Sequence, residues 1–279
     1  MREAWSAANK KGAPMEYEFL TWDVTDHVAT ITLNRPKKLN ALSQGLRQDI
    51  YSACDQAVAD DNIRVVLLAG EGRGFCSGAD LTSGGARGAG APSQNERLND
   101  LGWVGKLSST IYELNKPTIA AINGVAAGAG MSVSLACDMR IGSSRSRFKT
   151  VFAERALSPD TGMSYFLPRI IGYSRAVDLF FTSRAVDGEE AYRLGLLDRM
   201  VEPGEELSCA QEVAAQMAAL PPMALRSGKR VFQGNMDLDF HRALKNEMFG
   251  LSFAAKSPED NKEQRASFLE KRPPKFTGN

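Results

Sequence analysis

Two short apolar segments, each followed at once by a glycine-rich run, constrain the fold of this chain most strongly. The first segment is 65–69, followed by the run 72–80, and the second is 118–122, followed by the run 123–130. A continuous apolar segment of this length is typical of a strand buried on both faces, as in parallel sheets covered by helices. The sequence therefore predicts an α/β fold with two similarly built turns at strand ends.

The surrounding sequence predicts further strands and helices. Residues 28–33 alternate as a strand does, and Pro36 follows, which cannot donate a ladder hydrogen bond. Apolar residues at helical spacing predict a helix from the N-cap Ser43 to about residue 59, and a second helix over 103–114. A third helix is expected to begin at Ala129, directly after the second glycine-rich run.

The composition changes along the chain and divides it into regions. Residues 1–14 are polar and lack periodicity, so we expect a disordered extension. Residues 15–204 carry the strands and form the predicted core, whereas 205–279 show only helical patterns. Between residues 81 and 94 glycine, serine and alanine dominate, which predicts a mobile loop.

The two glycine-rich runs allow a functional and a structural interpretation. Backbone N–H groups at such turns, and at the start of a helix, have no partner within the chain and can point at a common acceptor. Two such N–H groups directed at one acceptor are the arrangement of an oxyanion hole. Alternatively, the glycines serve only to let strand and helix pack closely.

Composition argues against several classes of function. Lys and Arg number 34 against 33 Asp and Glu, so no basic face indicates nucleic acid or an anionic membrane. The four cysteines are far apart without CxxC spacing, which fits a reducing compartment, and we expect the cytoplasm. Neither His27 nor His241 lies near a Cys or carboxylate cluster, so we expect no metal site.

One apolar segment, 117–137, is about long enough to cross a bilayer. A turn signal, Asn123-Gly124, interrupts it, and Ser132, Ser134 and Asp138 add polar groups. We therefore interpret it as a buried strand, a tight turn and a buried helix, and expect no membrane span.

Several motifs occur in an order that belongs to a known family. They are Asn34-Arg35-Pro36 with Leu39-Asn40-Ala41-Leu42, Phe75-Cys76-Ser77-Gly78-Ala79-Asp80-Leu81, 116–124 with Gly128-Ala129-Gly130, Cys137-Asp138, 167–172, Ala191 with Gly195-Leu196, and 268–272. On these residues the chain resembles the enoyl-CoA hydratase/isomerase (crotonase) family, from about residue 15 to 275. The resemblance implies a spiral of ββα repeats followed by a C-terminal helical trimerisation region, assembled as a homotrimer or a dimer of trimers.

The resemblance also implies an acyl-CoA thioester as substrate, with coenzyme A as part of that substrate and no separate cofactor. The thioester carbonyl would lie between the N–H groups of Ala79 and Ala129. The residues that would bind coenzyme A are Arg35, Lys37, Lys38, Leu39, Ala41, Ser77, Gly78, Asp80, Gly128, Phe268 and Lys271. Among these, the basic side chains would meet the phosphates, Lys271 from a neighbouring subunit, and Asp80 would mainly hold its loop together.

The carboxylates expected of a hydratase are missing. Family members that add water to a double bond use two glutamates, and the matching positions here are Ser132 and Phe152. The resemblance instead points to the isomerase branch, in which the Asp of a Pro-Asp-x-Gly turn acts as the base. That residue is Asp160, and Glu154 is the second candidate acid/base.

Other interpretations of the same residues stay open. Asp160 could instead cap the helix predicted after Gly162. The dehalogenase branch carries a nucleophilic Asp at a similar position, but 148–160 lack the His and Trp that accompany it. The sequence thus predicts an isomerase of enoyl- or aryl-acetyl-CoA, with an atypical hydratase or a catalytically idle CoA-binding protein as alternatives.

Overall fold

The computed structural model of this chain describes residues 16–82 and 98–279. The predicted extension 1–14 and most of the predicted loop 81–94 lie outside the described residues. Within them, the strands are β1 (Leu20–Thr25), β2 (Val28–Leu33), β3 (Val65–Gly70), β4 (Gly74–Cys76), β5 (Thr118–Ile122), β6 (Val125–Ala127), β7 (Met139–Ser143), β8 (Arg147–Lys149), β9 (Val186–Asp187) and β10 (Arg199–Val201).

The helices alternate with these strands and then run to the C-terminal end. They are α1 (Gln44–Ala59), α2 (Gly102–Tyr112), α3 (Ala129–Ala136), α4 (Met163–Ile171), α5 (Tyr173–Thr182), α6 (Gly188–Leu194), α7 (Glu206–Ala218), α8 (Pro222–Asn235), α9 (Phe240–Ala254) and α10 (Pro258–Glu270). Short 3-10 turns cover Pro36–Lys38 and Ala153–Arg155. The predicted N-cap of α1 is confirmed, because the Ser43 hydroxyl accepts the Leu46 N–H at 3.2 Å.

The strands form two sheets. The larger sheet has the order β1-β2-β3-β5-β7-β10 and the smaller one the order β4-β6-β8-β9. In the larger sheet only β1 runs antiparallel to its neighbour, and in the smaller sheet only β9 does. Each of β3, β5 and β7 passes directly to a strand of the smaller sheet and then to a helix. This is the spiral of ββα repeats that the resemblance implies.

The central strand β3 is buried on both faces, as its apolar run predicts. Val66 and Leu68 point into the main core, which α1 covers with Leu46 and Ile50. The alternate residues of β3 point to the other face, where α7 covers them. The helical region after residue 204 therefore begins with a helix that completes the core.

Glycine brings the two predicted turns into direct contact. Strands β4 and β6 pair in parallel, with Gly74 opposite Val125. A methyl group on Gly130 would lie 2.2 Å from the Cys76 carbonyl oxygen, far inside van der Waals contact. The structural interpretation of these glycines, close packing, is thus confirmed, and it is compatible with a role in binding.

Candidate active site

The N–H of Ala79 is directed away from its neighbouring segment. Leu42 forms a parallel bridge with Ala79. The hydrogen bonds of this bridge involve the two neighbours of Ala79: the Leu42 N–H donates to the Gly78 carbonyl at 2.8 Å, and the Asp80 N–H donates to the Leu42 carbonyl at 3.4 Å. In such a bridge the residue between the two bonded neighbours, here Ala79, directs its own N–H away from Leu42. No described residue accepts the Ala79 N–H.

The second N–H belongs to Ala129, the first residue of α3. A residue at this position has no carbonyl four residues earlier within the helix to accept its N–H, and no other described residue accepts it. Gly128 precedes it with φ 51° and ψ −126°, a conformation available essentially to glycine alone. The Gly128 N–H donates to the Lys149 carbonyl at 2.9 Å, which anchors the turn to β8.

The two N–H groups lie in adjacent turns. Gly78, with φ 96°, is so close to the second turn that a methyl group on it would lie 2.8 Å from the Ala127 carbonyl oxygen and 3.6 Å from the Ala129 nitrogen. Ala79 follows Gly78 directly, so its peptide is next to that of Ala129. Two unpartnered backbone donors side by side can stabilise an oxyanion.

Asp80 holds its loop together, as predicted. One carboxylate oxygen accepts the Thr82 N–H at 2.9 Å and the Thr82 hydroxyl at 2.7 Å, and the other accepts the Arg35 guanidinium at 2.8 Å. Hydrogen bonds from Thr82 and, after them, from Arg35 keep the pKa of Asp80 well below its usual range. Asp80 is therefore a charged structural anchor beside Ala79.

Arg35 is the partner that ties this loop to the segment before α1. Besides Asp80, its guanidinium donates to the Ala41 carbonyl, and it lies 5.7 Å from the centre of the Phe19 ring. These contacts use two of its nitrogens within the chain. Arg35 is thus a clamp between two loops, and its predicted contact with a phosphate stays a prediction.

The segment 36–41 runs alongside the first turn. Asn40 donates to the carbonyls of Gly74 at 2.8 Å and Glu71 at 3.1 Å, and the Leu39 carbonyl accepts the Ser77 N–H at 2.9 Å. Lys37 and Lys38 are exposed and make no ion pair with any described residue. They are two basic side chains on this side of the site that could meet an anionic ligand.

The remaining predicted ligands, Phe268 and Lys271, lie at the end of α10. The Phe268 side chain is exposed, and Lys271 is the C-cap residue of that helix. Among the described residues of one chain, no hydrogen bond or ion pair joins either of them to the two turns. Their predicted role, Lys271 acting from a neighbouring subunit, stays a prediction.

Asp160 carries a half-buried carboxylate. One oxygen accepts the Thr161 hydroxyl at 2.8 Å, and the backbone carbonyl accepts the Ser132 hydroxyl at 3.2 Å. The N-cap of α4 is Gly162, without any side-chain capping bond, so the interpretation of Asp160 as a helix cap is wrong. Burial raises the pKa of Asp160, against the opposing effect of the Thr161 bond.

The second candidate, Glu154, lies on the exposed 3-10 turn Ala153–Arg155. Its carboxylate forms an ion pair with Lys149 at 2.7 Å, and both side chains are about one third exposed. The two positions that carry glutamate in hydratases are buried here: Ser132 is inaccessible and Phe152 is 3% exposed. Of the two candidates, Asp160 has the more sheltered carboxylate.

A pocket of about 310 Å³ lies away from the amide pair. Leu135 and Ala136, at the far end of α3 from Ala129, line it together with Tyr112 and Tyr165. Its charged lining residues are paired, for example Asp138 with Lys229 at 2.8 Å. The pocket therefore adds no free charge to the candidate site.

Comparisons with known proteins show which family this chain belongs to. Residues 23–279 match the family described as Enoyl-CoA hydratase/isomerase. The short-chain-enoyl-CoA hydratase of Clostridium acetobutylicum is 32% identical over 92% of this chain and 97% of its own length. The 1,2-epoxyphenylacetyl-CoA isomerase of Escherichia coli is 33% identical over 94% of this chain and 99% of its own length. The crystal structure of a putative enoyl-CoA hydratase from Streptomyces coelicolor superposes with a TM-score of 0.87 at 33% identity, covering 97% of this chain and 98% of that one.

The fold and the paired amides define an acyl-CoA enzyme of the crotonase type. This chain belongs to the enoyl-CoA hydratase/isomerase family. In the described part of the chain, no helix is both long and apolar enough to cross a membrane. The same residues contain no group of three His, Cys, Asp or Glu that could hold a metal ion.

Sequence reasoning missed Thr161 and Val151. Both are β-branched yet have φ of 52° and 56°, in the left-handed region that such side chains rarely adopt. Thr161 contacts the Asp160 carboxylate, and Val151 packs against Gly128. No sequence signal marks them, because backbone strain becomes visible only when the whole fold imposes it.

Proposed function

We propose that this enzyme isomerises an enoyl-CoA or aryl-acetyl-CoA through an enolate, with Asp160 as the base. The observation that carries the proposal is a half-buried carboxylate with a raised pKa and no capping role, while Ser and Phe occupy both hydratase glutamate positions. A base with a pKa nearer to neutrality transfers protons more efficiently at neutral pH.

The proposed reaction balances without any cofactor beyond the coenzyme A of the substrate. With a 3-enoyl-CoA, Asp160 removes a proton from the carbon next to the thioester carbonyl. The electron pair moves into the carbonyl, and the N–H groups of Ala79 and Ala129 hold the resulting oxyanion. Return of the proton to the fourth carbon moves the double bond into conjugation and restores the carboxylate.

A comparison of two substrates tests the proposal. The enzyme is expected to isomerise a 3-enoyl-CoA measurably and to hydrate crotonyl-CoA very slowly, because no second carboxylate is available at 132 or 152 to activate water. Both rates can be followed by the absorbance of the conjugated thioester. Hydration faster than isomerisation would contradict the isomerase assignment and favour the atypical hydratase. Several relatives are named as hydratases.

Deuterium exchange distinguishes an isomerase or an atypical hydratase from a catalytically idle CoA-binding protein. An acyl-CoA incubated with the enzyme in D₂O is expected to gain deuterium next to the carbonyl, because enolate formation is reversible. Mass spectrometry of the recovered thioester measures the exchange. An acyl-CoA that binds but gains no deuterium would identify a binding protein without catalysis.

A further inference from the structure

Thr161 is held in a conformation that its side chain opposes. Its φ of 52° lies in the left-handed region, and the residue is only 2% exposed. A β-branched residue keeps such a conformation only where the surrounding structure imposes it, and such strain clusters at functional sites. A glycine at position 161 would adopt this φ without strain, so the turn alone does not explain a threonine here.

The hydroxyl of Thr161 has a specific contact. Its Oγ1 donates to Oδ1 of Asp160 at 2.8 Å, while Oδ2 of Asp160 has no partner among the described residues. The Asp160 peptide is held separately: its carbonyl accepts the Ser132 hydroxyl at 3.2 Å and the Met163 N–H at 2.9 Å. Backbone and carboxylate are thus fixed by different partners.

We propose that Thr161 is a positioning residue for the isomerisation: it occupies Oδ1 of Asp160 and turns Oδ2 toward the substrate as the proton acceptor. This inference rests on the proposed function. The strain at Thr161 is then the consequence of placing a hydroxyl donor directly after the base. Glycine would remove the strain but also the donor.

Burial has the largest effect on the ionisation of Asp160, and the Thr161 bond is the side-chain contact that opposes it. Burial raises the pKa of Asp160, and the Thr161 bond lowers it. Apart from burial and the Thr161 bond, no charged side chain among the described residues shifts the pKa of Asp160. The neighbours packed at Gly162 are the neutral Phe166 and Ser108. Removal of the Thr161 hydroxyl is therefore expected to raise the pKa of Asp160 further.

The test compares Thr161→Val, Thr161→Gly and Thr161→Ser. Valine and glycine remove the hydroxyl, and kcat for a 3-enoyl-CoA is expected to fall about 10-fold or more, as for loss of a hydrogen bond to a charged group, with KM little changed. The acidic limb of the pH–rate profile moves to higher pH. Serine keeps the donor and restores both kcat and the pH profile.

Thr161→Gly distinguishes positioning from a structural role. Glycine relieves the strain at this positive φ, so the melting temperature of Thr161→Gly is expected to equal or exceed that of Thr161→Val. The activity of Thr161→Gly is expected to be as low as that of Thr161→Val. Thr118→Val is the matched control, because Thr118 also donates to a carboxylate, Asp138, at 2.9 Å, far from the amide pair. A folded Thr118→Val protein is expected to keep the pH–rate profile of the wild type.

A direct titration separates this inference from the proposed function. The ¹³C carboxyl resonance of Asp160, assigned by its absence in Asp160→Asn, is expected to titrate at higher pH in Thr161→Val than in wild type or Thr161→Ser. If Thr161→Val keeps wild-type kcat and the same titration while Asp160→Asn is inactive, the positioning role is wrong and the base stands. If Asp160→Asn is fully active, the proposed function itself falls, and with it any catalytic role for Thr161.

Discussion

At Asp160 the proposed catalytic role and the stability of the fold oppose each other. Its pKa in the folded chain is raised above the value of the unfolded chain by burial. A carboxyl shifted in this direction favours the folded state only while it is protonated, and that contribution is lost as pH rises through the folded pKa. Once ionised, the group therefore costs stability, which is consistent with a residue retained for the proposed role as base.

Asp160→Asn should consequently lose activity without losing stability. A positioned general base contributes about 10²–10⁴ in rate, and the amide keeps the shape of the carboxylate while abolishing its basicity. The melting temperature at pH 7 is expected to equal or exceed that of wild type, and any gain should shrink toward acidic pH, where the wild-type carboxyl is protonated. Calorimetry at both pH values and isomerisation assays measure the two effects.

Glu154→Gln is the matched control for the same experiment. Glu154 is paired with Lys149 on an exposed turn, and a pair of this kind contributes little to stability. Its amide variant is expected to keep both fold and turnover. Activity that persists in Asp160→Asn but disappears in Glu154→Gln would show that the base has been assigned to the wrong carboxylate.

At the scale of elements, α3 connects the two parts of the site. Its first residue, Ala129, carries the N–H proposed to bind the oxyanion, and Ser132, one turn later, bonds to the Asp160 carbonyl. Every residue of α3 is buried. One buried helix thus links the Ala129 N–H to the backbone of Asp160, the proposed base.

Ala129→Pro tests the donor on this helix. Proline removes the N–H and is tolerated in a first helical turn. Loss of one oxyanion donor typically costs about 10²–10³ in kcat, which steady-state kinetics on a 3-enoyl-CoA would measure.

Tyr173→Pro provides the control for Ala129→Pro. Tyr173 is also a first helical residue after a glycine with positive φ, and its side chain is exposed. It is expected to fold and to keep its activity. Full turnover in a folded Ala129→Pro protein would show that the Ala129 N–H is not a donor to the oxyanion.

At the scale of the whole molecule, α9 leaves an apolar face uncovered. This helix packs on α8 and has no buried residue within one chain. Its exposed apolar stripe, at helical spacing, consists of Phe240, Leu244, Met248 and Leu251. Contiguous exposed apolar surface of this kind marks interaction sites, and we propose that further copies of the chain cover it in the trimer or dimer of trimers that the resemblance implies.

Met248→Asp should weaken that assembly. A carboxylate in the stripe would have to be desolvated on association, so the variant is expected to sediment as a smaller species than wild type in analytical ultracentrifugation. Arg242→Asp is the control, because Arg242 is exposed on the same helix and lies on a different side of it from the stripe. If Met248→Asp sediments like wild type while Arg242→Asp dissociates, the interface lies on another face of α9.

Sequence by itself determined the parts of this protein that depend on neighbouring residues. The buried strand at 65–69 was predictable because every residue in it is apolar, and the N-cap at Ser43 because its partner is three residues away. Ala79 and Ala129 were singled out by family motifs within their turns, and the structure leaves both of their N–H groups without an acceptor among the described residues. Asp80 was correctly predicted to hold its loop, through Thr82 two residues on.

Only the tertiary structure decided the contacts between distant segments. The pairing of Arg35 with Asp80 spans 45 residues, and the bond from Ser132 to Asp160 spans 28. The strained Thr161 likewise follows a peptide held by Ser132, a residue of another segment. Local propensities act over a few residues, whereas these partners meet only after the sheets have paired and α3 is buried between them, so no pattern along the chain encodes which groups face each other.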